Sequence, residues 1–327
     1  VRRHYGAFIA CRARIQQALA VGVRQKNIDS PKTLFACHMD TVPAAVNAHM
    51  VETEEVFKTD GTTALGADDK AAIAVLLDIA GHADDGFAIL CLPAEEIGLY
   101  GSACLSRKFF SPLDIIGCYT LDATNKVGGI ITGAVGKSRL TIEMIGKSAH
   151  AGFSPESGIS AIKMASELCT SIQDGRINQT TTVNIGSFIA NGSINVVPDK
   201  ATICLEVRSA SDDTRTSILS SIKDKAHKIA SSYKGKVKIV EENLYSPYKI
   251  DTHSPLFIRA KEAIESSGRD CYTFDTTGGS DANNLNALGI ETILLATGYF
   301  GAHSVDEYIE KSEMKALKDL VSNLTKN

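Results

Sequence analysis

Residues 34–43, LFACHMDTVP, decide the fold. Leu34, Phe35, Ala36 and Cys37 form an apolar run that ends in His38, Met39 and Asp40, and Pro43 stops any regular ladder. A short apolar run closed by turn residues reads as a buried strand. In extended chain His38 and Asp40 point to the same side, and strand ends are where α/β proteins place their chemistry. A histidine beside a carboxylate has the form of a metal ligand with its orienting partner. Taken alone, such a pair is more often the start of an ordinary loop, so the remaining ligands have to come from elsewhere in the chain.

The composition sets the frame. A chain of 327 residues is long enough for two domains with a full core in each. Hydrophobic content of 44% with 22% charged residues describes an ordinary globular protein. A formal net charge of −4 gives no reason to expect nucleic acid or an anionic membrane as partner. Apolar runs such as 71–77 fall far short of a membrane span. Eight cysteines are scattered without a C-x-x-C pair, several inside apolar runs, which is the pattern of reduced thiols in a cytoplasm-like compartment. Residues 1–28 carry Arg2, Arg3, Arg12, Arg14, Arg24 and Lys26 and no acid. That stretch reads as a transit peptide or as one exposed helix face; the helical spacing over 7–23 favours the helix.

The texture of the chain shows two domains. Residues 50–63 are hairpin-like, and LGADDK at 65–70 leads into an Ala/Leu/Ile-rich helix over 71–80. Residues 88–92 (AILCL) form a second apolar strand that ends in Pro93-Ala94-Glu95-Glu96, and 115–121 a third that ends in Asp122. Continuous apolar strands alternating with helices predict an α/β fold with a mostly parallel sheet sandwiched by helices. From Lys137 the strands alternate instead: 138–145, 181–188, 201–207 and 237–241, with helices over 159–173 and 214–233. This β-α-β-β-α-β order predicts an inserted ferredoxin-like α+β domain. A helix over 256–266, the GGSDAN turn at 278–283, a strand over 292–296 and a helix over 312–324 return to the first texture. The expected division is a discontinuous catalytic domain, 1–136 and 245–327, around an insertion at 137–244.

The chemistry lies in a conjunction. His38/Asp40, Asp68/Asp69, Glu95/Glu96 and Asp122 follow apolar strands or begin a helix, and His303 ends a glycine-rich loop. Each has a plain reading as N-cap, solvated turn or loop residue. A parallel sheet, however, brings the ends of its strands together. His38, Asp68, Glu96, Asp122 and His303 then make a mixed N/O donor set without thiolate, suited to Zn²⁺, Mn²⁺ or Co²⁺. Two metals can share the set if one carboxylate bridges, an arrangement used for amide hydrolysis. Glu95, next to a ligand but with its own carboxylate, is the candidate general base.

The motifs HMDTVP (38–43), LGADDKA (65–71), PAEEIG (93–98) and TLDA (120–123) resemble the di-zinc aminoacylase/carboxypeptidase family of exopeptidases, most closely its peptidase T-like branch. GKSAHAG (146–152), NVVPD (195–199), GGSDAN (278–283) and AHSVDEYI (302–309) extend the resemblance in the family's order. The resemblance implies two zinc ions. His38 and Asp122 would hold one and Glu96 and His303 the other, with Asp68 bridging, Asp40 hydrogen-bonded to His38 and Glu95 as base. It further implies that His150 stabilises the oxyanion, that Arg208 and Asn195 clamp the substrate, and that Gly279 and Ser280 line the cleft. The insertion would be a lid that closes over the cleft and pairs in a homodimer. The implied substrate is a short peptide that loses its N-terminal residue. A carboxypeptidase, an N-acyl or carbamoyl amidohydrolase, and an inactive zinc scaffold stay open beside that reading. Family members carry a helix and strand ahead of the HxD strand that look shortened here. GKS at 136–138 mimics a phosphate loop, but Ile131 stands where its first glycine belongs, which excludes that NTPase motif.

Overall fold

In the computed structural model, residues 5–11, 18–23, 33–82, 87–111 and 115–326 are described, and the chain divides into two compact units, Val1–Ala134 with Tyr248–Asn327 and Val135–Pro247. The first unit begins with β1 (Tyr5–Cys11), β2 (Ala18–Val23), β3 (Thr33–His38), β4 (Met50–Glu52), β5 (Val56–Thr59) and α1 (Ala67–His82). It continues through β6 (Phe87–Leu92), α2 (Tyr100–Ala103), α3 (Arg107–Phe110), β7 (Gly117–Ala123) and β8 (Gly129–Ala134). The second unit holds β9 (Gly136–Ile145), α4 (Ala161–Ser171), β10 (Gly175–Asn178), β11 (Thr181–Ile189), β12 (Lys200–Ser209), α5 (Asp212–Ser232) and β13 (Lys236–Tyr245). The chain then returns to the first unit with β14 (Tyr248–Lys249), α6 (Pro255–Ser266), β15 (Tyr272–Thr276), α7 (Asp281–Ala287), β16 (Thr292–Ala296), β17 (Tyr299–Phe300), β18 (Tyr308–Glu310) and α8 (Lys311–Thr325).

In the first unit all six residues of β3 are buried. Phe35 and Cys37 pack into the core beneath α1, α6 and α8, while Leu34 and Ala36 join Leu90, Leu92 and Leu285 on the opposite face. Burial on both faces is why the strand reads as a continuous apolar run rather than an alternating one. Each large side chain so buried contributes about 1.5–3 kcal/mol. The sheet order is β1-β2-β6-β3-β7-β16-β8-β14, with β15 also beside β8. β6, β3, β7 and β16 run parallel, so the ends that carry His38, Glu95/Glu96 and Asp122 emerge on one edge. The flanks are antiparallel where β2 meets β6 and β16 meets β8. A smaller sheet, β17-β18-β5-β4, frames the loop that carries His303.

The helix expected over 7–23 is corrected. Tyr5–Cys11 and Ala18–Val23 are strands, paired antiparallel with Phe8 opposite Val21 and Cys11 opposite Ala18. β-branched Ile9, Val21 and Val23 favour extended chain, and β2 gains a partner along β6 through Val21 and Gly22. The six basic residues of that stretch lie outside the described residues. β8 and β15, parallel partners in the sheet, had no counterpart in the sequence reading; glycines at 129 and 133 weaken the strand signal of the first.

The second unit is an antiparallel sheet, β10-β11-β12-β9-β13. Alternate residues of β9 and β12 (Leu140, Ile142 and Met144; Ala201, Ile203, Leu205 and Val207) form one core with α4 and α5. Ser160 and Ser211 cap those helices by accepting the N–H groups of Lys163 and Thr214. No described helix of the chain is long and apolar enough to cross a membrane.

Candidate metal centre

His38 closes β3 with its ring buried. Its Nδ1 lies 3.0 Å from the backbone carbonyl oxygen of Asp40. A carbonyl oxygen only accepts, so Nδ1 carries a proton, and in the neutral ring Nε2 keeps its lone pair for a cation. That Nε2 stands 2.9 Å from Oδ1 of Asp68 and 3.4 Å from Oδ1 of Asp122. Around the second imidazole, Nε2 of His303 stands 3.0 Å from Oε2 of Glu96 and 3.3 Å from Oδ2 of Asp68. The two oxygens of Asp68 thus face different histidines.

Asp68 and Asp69 occupy the start of α1 but depart from helical dihedrals, and the regular helix follows them. Negative charge is favoured at that end of a helix. Asp69 is fully buried; its Oδ2 accepts the backbone N–H of His38 at 3.1 Å. The expected bond from the Asp40 carboxylate to His38 needs correction, since Oδ1 is 3.7 Å from Nδ1. The carboxylate instead accepts the backbone N–H groups of Glu95 (3.1 Å) and Glu96 (3.2 Å). Ala94 and Leu99, on either side of that turn, have φ of 60°, and His303 has φ of 66°. Non-glycine residues there cost about 1–3 kcal/mol each and collect at functional sites. An oxygen of Glu95 lies within 4.8 Å of a His38 ring nitrogen and a Glu96 oxygen.

The cluster carries more negative charge than it can hold. Burial, then Asp122 and Asp281, push the Glu95 carboxyl up to about 10. Burial and Asp68 push Glu96 up to about 7. Burial, with Asp122 adding to it, raises Asp69 well above the carboxylate range, and burial raises Asp122. Burial opposes the charge on Asp68, but hydrogen bonds from His303 and His38 hold it at about 2. Burial likewise opposes protonation of His38, yet Asp122 and its neighbouring acids drive it far upward. A hydrogen bond to Asp68 leads the effects that lift His303 to about 9. The proton so drawn to Nε2 sits where a cation fits. Oδ1 of Asp69 and Oε1 of Glu96 are buried with no hydrogen-bond partner among the described residues. Two imidazoles, a surplus of carboxylates and orphaned oxygens suit divalent metal of the zinc class.

The other sequence-derived residues are placed as follows. In the second unit, Ala151 N–H donates to the Asn195 carbonyl (2.9 Å), and His150 bridges Val196, so these two loops lie side by side. His150 is exposed, and its Nδ1 accepts the N–H groups of Gly152 and Phe153, both at 3.1 Å. That fixes Nε2 as the protonated, donating nitrogen. Arg208, near the end of β12, donates through Nε to Glu206 at 2.7 Å. In the first unit Gly279 is half-buried. The Ser280 hydroxyl caps α7, accepting Ala282 N–H, while Ser280 N–H donates to Asn283. Sequence reasoning left Asp69 as an N-cap candidate and Asp281 only as part of the GGSDAN turn, and gave no role to Glu307; all three are buried acids. Glu307 lies inside the AHSVDEYI motif, which was its only signal.

Parallel strands whose ends gather imidazoles and carboxylates form a donor set of the kind that metal-dependent hydrolases use. Residues 132–234 match the peptidase dimerisation domain of the M20 peptidases. The chain is 34% identical over 295 residues to the uncharacterized protein YqjE of Bacillus subtilis, covering 88% of this chain and 78% of that one. Its structure is similar to the aminopeptidase PepT of Bacillus cereus (TM-score 0.81, 30% identity, 94% of this chain and 83% of that chain). It is also similar to a tripeptidase of Staphylococcus aureus (TM-score 0.83, 29% identity, the same coverage of 94% and 83%). The chain belongs to the M20 family of metallopeptidases, close to its peptidase T-like members. It is therefore a metal-dependent peptidase, and the α/β fold with its inserted domain is the family's.

Proposed function

We propose that the protein removes the N-terminal residue from short peptides, tripeptides above all, with two zinc-class ions at the cluster. The observation that carries this reading is the Asp68 carboxylate, with one oxygen toward His38 and the other toward His303. His38, Asp122 and Asp68 would hold one ion, and Glu96, His303 and Asp68 the other. When bound, such ions would polarise the scissile carbonyl and lower the pKa of the attacking water. Glu95 carries the proton, on a carboxylate oxygen, from the attacking water to the leaving amine. His150 offers Nε2–H as an oxyanion donor, and Arg208 offers a guanidinium suited to a peptide carboxylate.

The tripeptide preference is supported by the similarity to an aminopeptidase and a tripeptidase. Pairing of two copies through the second unit is supported by the match to a peptidase dimerisation domain. The scattered spacing of the cysteines, without a C-x-x-C pair, supports a reducing, cytoplasm-like compartment. The test is a panel of tripeptides, dipeptides and N-acyl amino acids, assayed with zinc-, manganese- and cobalt-loaded protein. Release of free N-terminal residues from tripeptides is expected; hydrolysis of N-blocked substrates alone would sink the aminopeptidase reading.

A further inference from the structure

Glu307 is 1% exposed. Its carboxylate is committed to backbone: Oε2 accepts the N–H of Gly66 at 2.7 Å and Oε1 the N–H of Asp68 at 3.0 Å. The first N–H groups of a helix have no partner inside it, and Glu307 supplies one for Asp68. Gly66 has φ of +72°, and a Cβ there would come to 3.1 Å from the Thr41 side chain, so the turn that presents these two donors needs glycine. Glu307 also lies four residues after His303, in the loop between β17 and β18. One loop thus supplies both an imidazole of the cluster and the clamp on the backbone of the carboxylate facing it.

We infer that Glu307 is a positioning residue that fixes Asp68 against His303 and so sets the affinity of the ion held by Asp68, Glu96 and His303. In that half-site Glu96 is held through its backbone by Asp40, whereas His303 is half exposed and has a left-handed backbone. The His38 half has a second anchor, because Asp69 holds the backbone of His38 and the ring is buried. Loss of the Glu307 clamp therefore falls first on the His303 half. The inference rests on the two-ion reading proposed above.

The experiment compares wild type, Glu307→Gln and Glu313→Gln by titrating metal-free protein with Zn²⁺ against a competing chelator, and with Co²⁺ by visible absorption. In Glu307→Gln the amide keeps one acceptor oxygen but turns its NH₂ toward a backbone N–H, breaking one of the two bonds. Outer partners of metal ligands are typically worth about 10–100-fold in affinity. The expected result is weakening of that order for the weaker metal equivalent, with a changed cobalt spectrum and the tighter equivalent retained. Glu313 is the control: equally buried, it accepts Val127 N–H at 2.7 Å and pairs with Arg269 at 2.8 Å, touching no residue of the cluster. Its variant should lose thermal stability and keep both affinities. Wild-type affinity in Glu307→Gln, or equal losses in the two variants, overturns the inference. Failure of wild type to take a second equivalent overturns the two-ion reading itself. Should Glu307→Gln not fold, Glu307→Asp, one methylene short of both donors, carries the same expectation.

Discussion

The carboxylate of Asp40 accepts the backbone N–H of Glu95 at 3.1 Å. With the bond to Glu96 N–H, it holds the turn that presents both the proposed base and a proposed ligand. The same device recurs: Asp69 takes the N–H of His38, and Glu307 that of Asp68. Four members of the cluster, Glu95, Glu96, His38 and Asp68, are thus located through their backbone by a neighbouring acid. Asp40→Ala leaves two donors without their charged acceptor and should cost about 2 kcal/mol in chemical denaturation. A shift of the turn of the order of 1 Å should lower turnover by about 10²-fold. Lost stability with unchanged turnover would separate the anchor from the chemistry.

Glu95→Gln keeps size and hydrogen-bonding capacity but cannot carry a proton. Turnover should fall by about 10²–10⁴-fold, while metal content by elemental analysis stays that of wild type. If wild type and variant are equally inert with metal bound, the protein is a scaffold rather than a peptidase of this mechanism.

Metal removal acts on stability as well as on activity. The acids of the cluster repel one another, and a cation that binds only the folded state stabilises it by mass action, about 4 kcal/mol at a thousand times Kd. Chelation should abolish hydrolysis and lower the midpoint of thermal unfolding, and added Zn²⁺, Mn²⁺ or Co²⁺ should restore both. A midpoint indifferent to chelation would mean that the cluster does not hold metal.

His150→Ala tests the second unit. The ring is exposed and its Nδ1 is bonded within its own loop, so its loss should leave folding and metal content intact. Turnover should drop by orders of magnitude with KM little changed, as for removal of an oxyanion donor. Unchanged kcat removes His150 from the mechanism.

What the sequence revealed and what it concealed have physical causes. β3 and β6 were legible because burial on both faces makes a strand continuously apolar, and the second unit because one-sided burial makes its strands alternate. His38, Asp68, Glu96, Asp122 and His303 were legible because strand order and motif spacing bring them together. Asp69 and Glu307 were not, because an acid that accepts backbone N–H groups carries no pattern of its own in one dimension. The 7–23 stretch misled because its apolar spacing fits a helix, while its pairing along β6 depends on a strand distant in sequence.

Glu206 gives a pH signature away from the cluster. On β12 its carboxylate receives Arg208 Nε at 2.7 Å and Lys137 Nζ at 2.7 Å. Burial opposes its charge, but the hydrogen bonds from Arg208 and Lys137 hold its pKa below the ordinary 4.5. The unfolded chain therefore binds the proton first as the pH falls. The stabilisation is complete above about pH 4.5 and is lost as the pH drops through the lowered folded value. For a partly exposed pair it amounts to about 1 kcal/mol. Glu206→Gln should be less stable than wild type by that margin in urea at pH 7, and the gap should close toward pH 3. A difference that persists or grows under acid would show that the Gln variant is destabilised by packing, not by loss of the charge that holds Arg208.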